Sequence, residues 1–347
     1  MSSKNPATVL FEQAEKAGAS DVHVIVDAPV VFRVNGELIP QTKQVVTSSQ
    51  AEQFVKAVLD ETSWKRLREE REVDVSFALG SGVRLRINCH FERGNVGLAA
   101  RIIPTDIPTL ESLDLKDIAE KILHLNEGLV LFTGPTGCGK STSLASIIHA
   151  INQERAQNII TLEDPIEFLF PRGKGVIRQR QYGHDFLSFP EALKHVLRQD
   201  PNIVMVGEMR DPETIAAALT LAETGHLIFA TLHTPNTSQT IDRIIDVFSP
   251  HQQGQIRSQL SMSLKAIVAQ RLVPSTREGG GRVSVREVLL NTPAVANTIR
   301  ENRAQELKSI LQTNESIGMI TFEKAAKQLY KDEIISKETY EIITEVF

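Results

Sequence analysis

LVLFTGPTGCGKST, residues 129–142, decides how this chain is read. Leu129 to Phe132 is an unbroken apolar run and predicts a buried strand. The next eight residues, GPTGCGKS at 134–141, satisfy G-x-x-x-x-G-K-[ST] at every fixed position. Downstream, Leu144, Ile147, Ile148 and Ile151 recur at the spacing of one helical face. Strand, glycine loop and helix thus stand in the order that a phosphate-binding loop requires. Gly134, Gly137 and Gly139 let backbone N–H groups curl around a polyphosphate without Cβ clashes. Pro135, Thr136 and Cys138 fill the variable positions, and Thr142 lies just inside the helix, whose N-terminal N–H groups face the anion. Lys140 is the point charge for the β- and γ-phosphates, and the Ser141 hydroxyl is placed for Mg²⁺. The expected ligands are ATP and Mg²⁺.

Working downstream, three more apolar runs each end in polar or ionisable residues. Residues 159–162 lead into Glu163 and Asp164, residues 203–206 into Gly207 and Glu208, and residues 227–232 into His233. Unbroken β-rich runs suit strands of a parallel sheet buried on both faces. A helical stretch over 212–224 starts at Pro212 and stops at Gly225. Ligands of such α/β sheets sit beyond the carboxyl ends of the strands, where the phosphate loop also lies. ATP hydrolysis needs a held metal, an oriented water and positive charge on the transferred phosphoryl group. Glu208 stands where a Walker B acid would, with candidate roles in holding Mg²⁺ through water and activating the nucleophile. The competing reading is a strand-end carboxylate that caps the next helix. Glu163 and Asp164 offer a second acid, although Asp-Pro also opens a plain turn. His226 and His233 bracket one strand, and either could sense a γ-phosphate or be purely structural.

Upstream, residues 1–103 read as a smaller α+β domain, followed by a linker at 104–109 and the ATPase domain at 110–347 with a helical C-terminal portion. A helix is predicted over 7–17, strands over 22–26 and 30–34, a turn at Asn35-Gly36, and a single charged helix over 50–71. Alternation from Val73 to Leu79 and from Val83 to Phe91 predicts a hairpin with one buried face, and a third strand follows over 96–103. Arg84 and Arg86 share the polar face of the second hairpin strand, and Arg101 lies on the third. They are either ordinary surface arginines or fingers for a nucleotide.

Composition narrows the functional classes. The 347 residues carry a net charge of −5 and 18 aromatics, which argues against a nucleic-acid partner. Cys89 and Cys138 are the two cysteines, with no CxxC, so neither a zinc ribbon nor a disulfide framework is expected. The N-terminus has no apolar signal-peptide core, and no apolar run approaches a membrane span. A cytosolic protein whose membrane role is peripheral is expected.

These motifs resemble the secretion-type ATPases of type IV pili and type II secretion, and within them the pilus retraction motors. GASDVH at 18–23 is similar to the family's GASDLH signature. RLRIN at 84–88, Arg93-Gly94 and RIIP at 101–104 resemble its N-terminal arginine motifs. TLEDPIEF at 161–168 resembles the Asp box, and LRQDPNIVMVGEMRD at 197–211 the Walker B segment, with Asn202 in place of a usual aspartate. TGHLIFATLHT at 224–234 resembles the His box, with TIDRIID at 240–246 beyond it. AVANTIRE at 294–301 resembles the retraction motif AIRNLIRE, departing at Val295, Ala296 and Thr298. The resemblance implies a PAS-like domain before a RecA-like P-loop domain, a homohexamer, and nucleotide bound between the two domains. It implies docking on an inner-membrane pilus platform protein at the cytoplasmic face, and ATP-driven retraction. It also implies nucleotide roles for Arg86, Arg101, Arg198, His226 and His233, with Glu208 as catalytic acid and Glu163 assisting, the two acids sharing metal and water in a division left open. Rival readings are an accessory paralogue, an extension or secretion ATPase, a non-hydrolysing scaffold and a nucleic-acid translocase.

Overall fold

A computed structural model describes residues 5–34, 36–103, 106–278 and 280–346. Asn35 of the expected turn, and Pro104 and Thr105 of the expected linker and RIIP motif, lie outside the described residues. The chain divides into two compact units, 1–106 and 107–347.

The first unit is a six-stranded sheet covered by helices. Its strands are β1 (Ala19–Val24), β2 (Val31–Val34), β3 (Glu37–Pro40), β4 (Glu72–Ala78), β5 (Arg84–Glu92) and β6 (Asn95–Ile103), in the order β3-β2-β1-β6-β5-β4. Every neighbour pair is antiparallel. The expected hairpin is β4–β5: Leu85, Ile87 and Cys89 are fully buried, and Arg84 and Arg86 stand on the exposed face. Phe11 of helix α1 (Pro6–Lys16) packs edge-on against Phe77, with ring centroids 5.6 Å apart. The single helix expected over 50–71 is two helices, α2 (Ser48–Val58) and α3 (Glu61–Glu70). Leu59 is extended, and the Asp60 carboxylate accepts the Ser63 N–H at 2.7 Å. An aspartate able to cap a new helix outcompetes one more turn of the old one.

The second unit is a seven-stranded sheet covered on both faces. Its strands are β7 (Gly128–Thr133), β8 (Asn158–Glu163), β9 (Val176–Gln181), β10 (Ile203–Val206), β11 (Leu227–Leu232), β12 (Leu264–Pro274) and β13 (Arg282–Leu290). The order is β13-β12-β7-β11-β10-β8-β9, parallel throughout except at β13. Alternate residues of each central strand serve opposite faces. Leu129 and Leu131 of β7 join one core with Val204, Val206, Ile228 and Ala230. Val130 and Phe132 join the other with Met205 and Phe229. That second core is closed by helices α4 (Lys116–Ile122) and α5 (Lys140–Glu154), the latter through Leu144, Ile147, Ile148 and Ile151.

The first core is closed by α6 (Phe189–Val196), α7 (Pro212–Glu223), α8 (Thr237–Asp246), α9 (Pro250–Ser263), α10 (Pro293–Arg300) and α11 (Leu307–Thr313). Helices α12 (Phe322–Lys331) and α13 (Lys337–Val346) close the chain. Strands β9, β12 and β13 were not among the expected runs. β9 is a polar sheet edge, and β12 places Gln270 and Arg271 directly after its apolar Ala266–Ala269 stretch. No described helix is long and apolar enough to cross a membrane.

Candidate active site at the carboxyl edge of the parallel sheet

The glycine loop joins β7 to α5. Gly134, Gly137 and Gly139 have φ of +139°, +76° and +87°. A Cβ on Gly134 would lie 2.2 Å from the Gln270 carbonyl oxygen and 2.7 Å from Cys138 Sγ, so the loop closes only around glycine. Lys140 is buried and folded back, its ammonium donating to the carbonyls of Gly134 at 2.7 Å and Pro135 at 3.0 Å. Burial pushes its pKa down, opposed by the nearby Cys138, Glu208 and Glu167. Ser141 and Thr142 occupy the first turn of α5, and Cys138, within the loop, is buried.

Strand order then sets the chemistry. The sheet runs β7-β11-β10-β8, and the residues just past these strands form one polar chain in the same order. Thr136 follows β7, and its hydroxyl is 3.4 Å from Nδ1 of His233, which follows β11. Nε2 of His233 is 3.3 Å from Oε1 of Glu208, which follows β10. Oε2 of Glu208 accepts from Nε of Arg210 at 2.7 Å, and Nη1 of Arg210 is 3.7 Å from Asp164, which follows β8. The Gly207–Met209 segment is pinned to β11 by the Thr231 hydroxyl donating to the Gly207 carbonyl and by Met209 N donating to Thr231 O at 3.1 Å.

Glu163 ends β8 and is buried, accepting from the Thr161 hydroxyl at 2.6 Å and the Gln179 amide at 3.0 Å. Burial raises its pKa, partly offset by those two hydrogen bonds. The sequence pattern does not mark Arg210 or Gln179 as site residues. Gln179 lies on the unforeseen β9, whereas Arg210, two residues past the Walker B acid, was legible as a charge beside it.

Two expected site residues stand elsewhere. His226 precedes β11, and its main-chain carbonyl accepts from Gly128 N at the start of β7. A six-residue parallel strand separates it from the loop edge, roughly 20 Å at about 3.3 Å per residue. Its Nδ1 instead lies 3.1 Å from Leu221 O and 3.2 Å from the Thr224 hydroxyl, at the end of α7. Arg198 precedes β10 on the same far edge, 3.5 Å from His195. The sequence shows both residues close in number to the site; only the strand direction separates them from it.

In the first unit, Arg86 and Arg101 face each other across β5 and β6. Arg101 Nε donates to Asp21 at 2.8 Å, Arg86 lies 3.9 Å from Asp74, and Arg84 is exposed. Burial raises the Asp21 pKa, but hydrogen bonds from Arg101 and Ser20 outweigh it and hold the carboxyl below the usual range.

For Mg²⁺, the available donors are hard oxygens: the Ser141 hydroxyl and the Glu208 carboxylate beside the loop. No group of three or more His, Cys, Asp or Glu among the described residues could hold a metal ion by itself. That donor set fits an ion carried largely by phosphate oxygens and waters.

A family model described as Type II/IV secretion system protein matches residues 6–338. The chain belongs to this family. Relatives of this secretion-system ATPase include the type IV pilus retraction ATPase PilT of Pseudomonas aeruginosa, 39% identical over 331 residues, covering 95% of this chain and 96% of that one. The type IV pilus ATPase PilU of the same organism is 42% identical over 321 residues, covering 92% and 84%. A crystal structure of the pilus retraction motor PilT with bound ADP matches at a TM-score of 0.90 and 39% identity, covering 97% of this chain and 96% of that one. The two-unit architecture with a RecA-like second unit is therefore the fold of this family.

Proposed function

We propose that the chain is a Mg²⁺-dependent ATPase that powers retraction of type IV pili and so supports twitching motility. The observation that carries the reading is the polar chain from Thr136 through His233 to Glu208, which ties a complete phosphate loop to a carboxylate at the same sheet edge. Family membership and the PilT relative direct that chemistry to the pilus.

The loop N–H groups and Lys140 bind the β- and γ-phosphates, for which the ammonium leaves the two loop carbonyls. Mg²⁺, held by Ser141 and through water by Glu208, would draw charge from the phosphate oxygens. Glu208 orients the attacking water and takes its proton. His233, set between Thr136 and Glu208, reports the state of the loop to that carboxylate. Glu163, buried at the end of the neighbouring strand β8, assists Glu208 in handling metal and water. Arg86 and Arg101, with Arg84, are proposed sources of positive charge toward the triphosphate. The working assembly is a homohexamer at the cytoplasmic face of the inner membrane, seated on the pilus platform protein. ATP is its substrate, and no nucleic acid takes part.

The test is steady-state ATP turnover of the purified full chain with and without Mg²⁺, paired with deletion in the native host. Mg²⁺-dependent turnover with hyperpiliated, non-twitching cells supports the reading. Bald cells would assign the chain to extension instead. The similarity to PilU and the departures at Val295, Ala296 and Thr298 favour one second reading, an accessory motor subunit. Turnover that appears only on adding a second pilus ATPase would establish it.

A further inference from the structure

Beneath the phosphate loop lies a buried polar network that the proposed chemistry does not use. Gln270 of β12 is 1% exposed. Its Nε2 donates to the Cys138 carbonyl at 2.6 Å, and its Oε1 accepts from the Ser143 hydroxyl at 2.9 Å and from Arg286 Nε at 3.1 Å. Arg286 lies directly across the β12–β13 ladder from Gln270 and is itself buried. Its Nη1 donates to the Asp114 carbonyl at 3.1 Å, and its Nη2 is buried without a hydrogen bond among the described residues. Gln270 also sets the limits of the loop. Its carbonyl blocks a side chain at Gly134, and its amide nitrogen lies 2.9 Å from where a Cβ on Gly139 would stand.

The orientation of the Gln270 amide follows from its neighbours. A guanidinium only donates and a main-chain carbonyl only accepts, so Oε1 must face Arg286 and Nε2 must face Cys138. The consequence reaches the loop through one peptide plane. In a trans peptide the C=O and the following N–H point opposite ways. Anchoring the Cys138 carbonyl to β12 therefore aims the Gly139 N–H away from β12. An arginine buried with an unpaired N–H is costly. An apolar residue would pack there without that cost but would not fix the amide.

We infer that Gln270 is a positioning residue for the phosphate loop, and that Arg286 and Ser143 lock its amide so that the Gly139 N–H is presented to phosphate. Polyphosphate affinity then depends on a hydrogen bond that the buried Gln270 makes to the loop's carbonyl side. This inference rests on the reading of the loop as a nucleotide site.

The test is ADP binding to the full chain by isothermal titration, with thermal denaturation run in parallel. Gln270→Glu keeps the shape but turns a carboxylate oxygen toward the Cys138 carbonyl. Its ADP Kd is expected to rise at least about tenfold, or 1.4 kcal/mol, while the thermal midpoint stays within a few degrees. Arg286→Met removes one of the two donors that hold Oε1, loosening the amide, and is expected to weaken ADP roughly threefold to tenfold in the wild-type background, and not at all beside Gln270→Met, because the coupling runs through the amide. If Gln270→Glu does not fold, Gln270→Met, which has no polar group to misplace, carries the test. Variants that bind ADP as tightly as wild type overturn the inference, and additive losses in the double variant overturn the part assigned to Arg286. Wild type that binds neither ADP nor ATP would sink the nucleotide reading, and this one with it; tight wild-type binding with unaffected variants would sink this one alone.

Discussion

Replacing Glu208 by glutamine separates the chemistry of this site from its architecture. Glutamine keeps the length and one acceptor oxygen of the side chain but removes its charge. The structural loss is small. Glu208 is about a quarter exposed and Arg210 about two-thirds exposed, and exposed ion pairs contribute about 0.2–1 kcal/mol. The amide oxygen can still accept from Arg210. A loss of at most about 1 kcal/mol in a unit of this size moves the thermal midpoint by roughly 2–4 °C. The chemical loss is larger. A general base contributes about 10²–10⁴ in rate, or roughly 3–5 kcal/mol at about 1.4 kcal/mol per tenfold. The variant is therefore expected to lose at least a hundredfold in kcat while its ADP affinity changes by less than threefold. Coupled-enzyme turnover, ADP titration and thermal denaturation measure the three quantities. A kcat within threefold of wild type would refute the assignment of Glu208. So would a loss of turnover that tracks loss of ADP binding, because the carboxylate would then be holding the loop and not the water.

Other perturbations have equally direct outcomes. His233→Ala breaks the link between Thr136 and Glu208, and kcat should fall about tenfold or more with ADP affinity nearly unchanged. His226→Ala, at the far sheet edge, should leave ADP affinity of the chain within about twofold of wild type, since its ring bonds to the end of α7 and a six-residue strand lies between it and the loop edge. Gly134→Ala forces a Cβ onto the Gln270 carbonyl in a left-handed backbone region, and should abolish detectable ADP binding in a titration. Phe132→Ala removes a fully buried ring from the core under α5 and should cost about 3–5 kcal/mol in chemical denaturation. The lowered pKa of Asp21 means that its bond with Arg101 contributes fully above the usual carboxylate range and is lost as pH falls through the lowered folded-state value. Asp21→Asn should therefore narrow the stability gap between neutral and strongly acidic solution, read by denaturant titration of the two proteins.

Much of the second unit was legible as sequence because its physics is local. The loop at 134–141 needs glycines and a lysine at fixed spacing, and a strand buried on both faces needs an unbroken apolar run. The runs ending at Glu163, Glu208 and His233 therefore declared both the strands and the acids. β9 was silent because a sheet edge, half open to water, tolerates VIRQRQ. β12 was silent because its apolar stretch gives way to Gln270 and Arg271 where the strand passes under the loop. In the first unit, alternation exposed the β4–β5 hairpin, whereas the helix break at Asp60 turned on a single capping carboxylate.

The sequence by itself determined which residue types could meet a triphosphate: a glycine cradle, one ammonium, one hydroxyl and carboxylates at strand ends. Only the tertiary structure decided which of them stand together. Strand order carries Thr136, His233, Glu208 and Asp164 into one line across the sheet. Strand direction sends His226 and Arg198 to the opposite edge, although one six-residue strand is all that divides His226 from His233. Pairing of β12 with β7 and β13 brings Gln270 and Arg286 beneath a loop more than a hundred residues away. These are long-range facts, set by which strands lie side by side and which way each one runs, and no local pattern of residues records them.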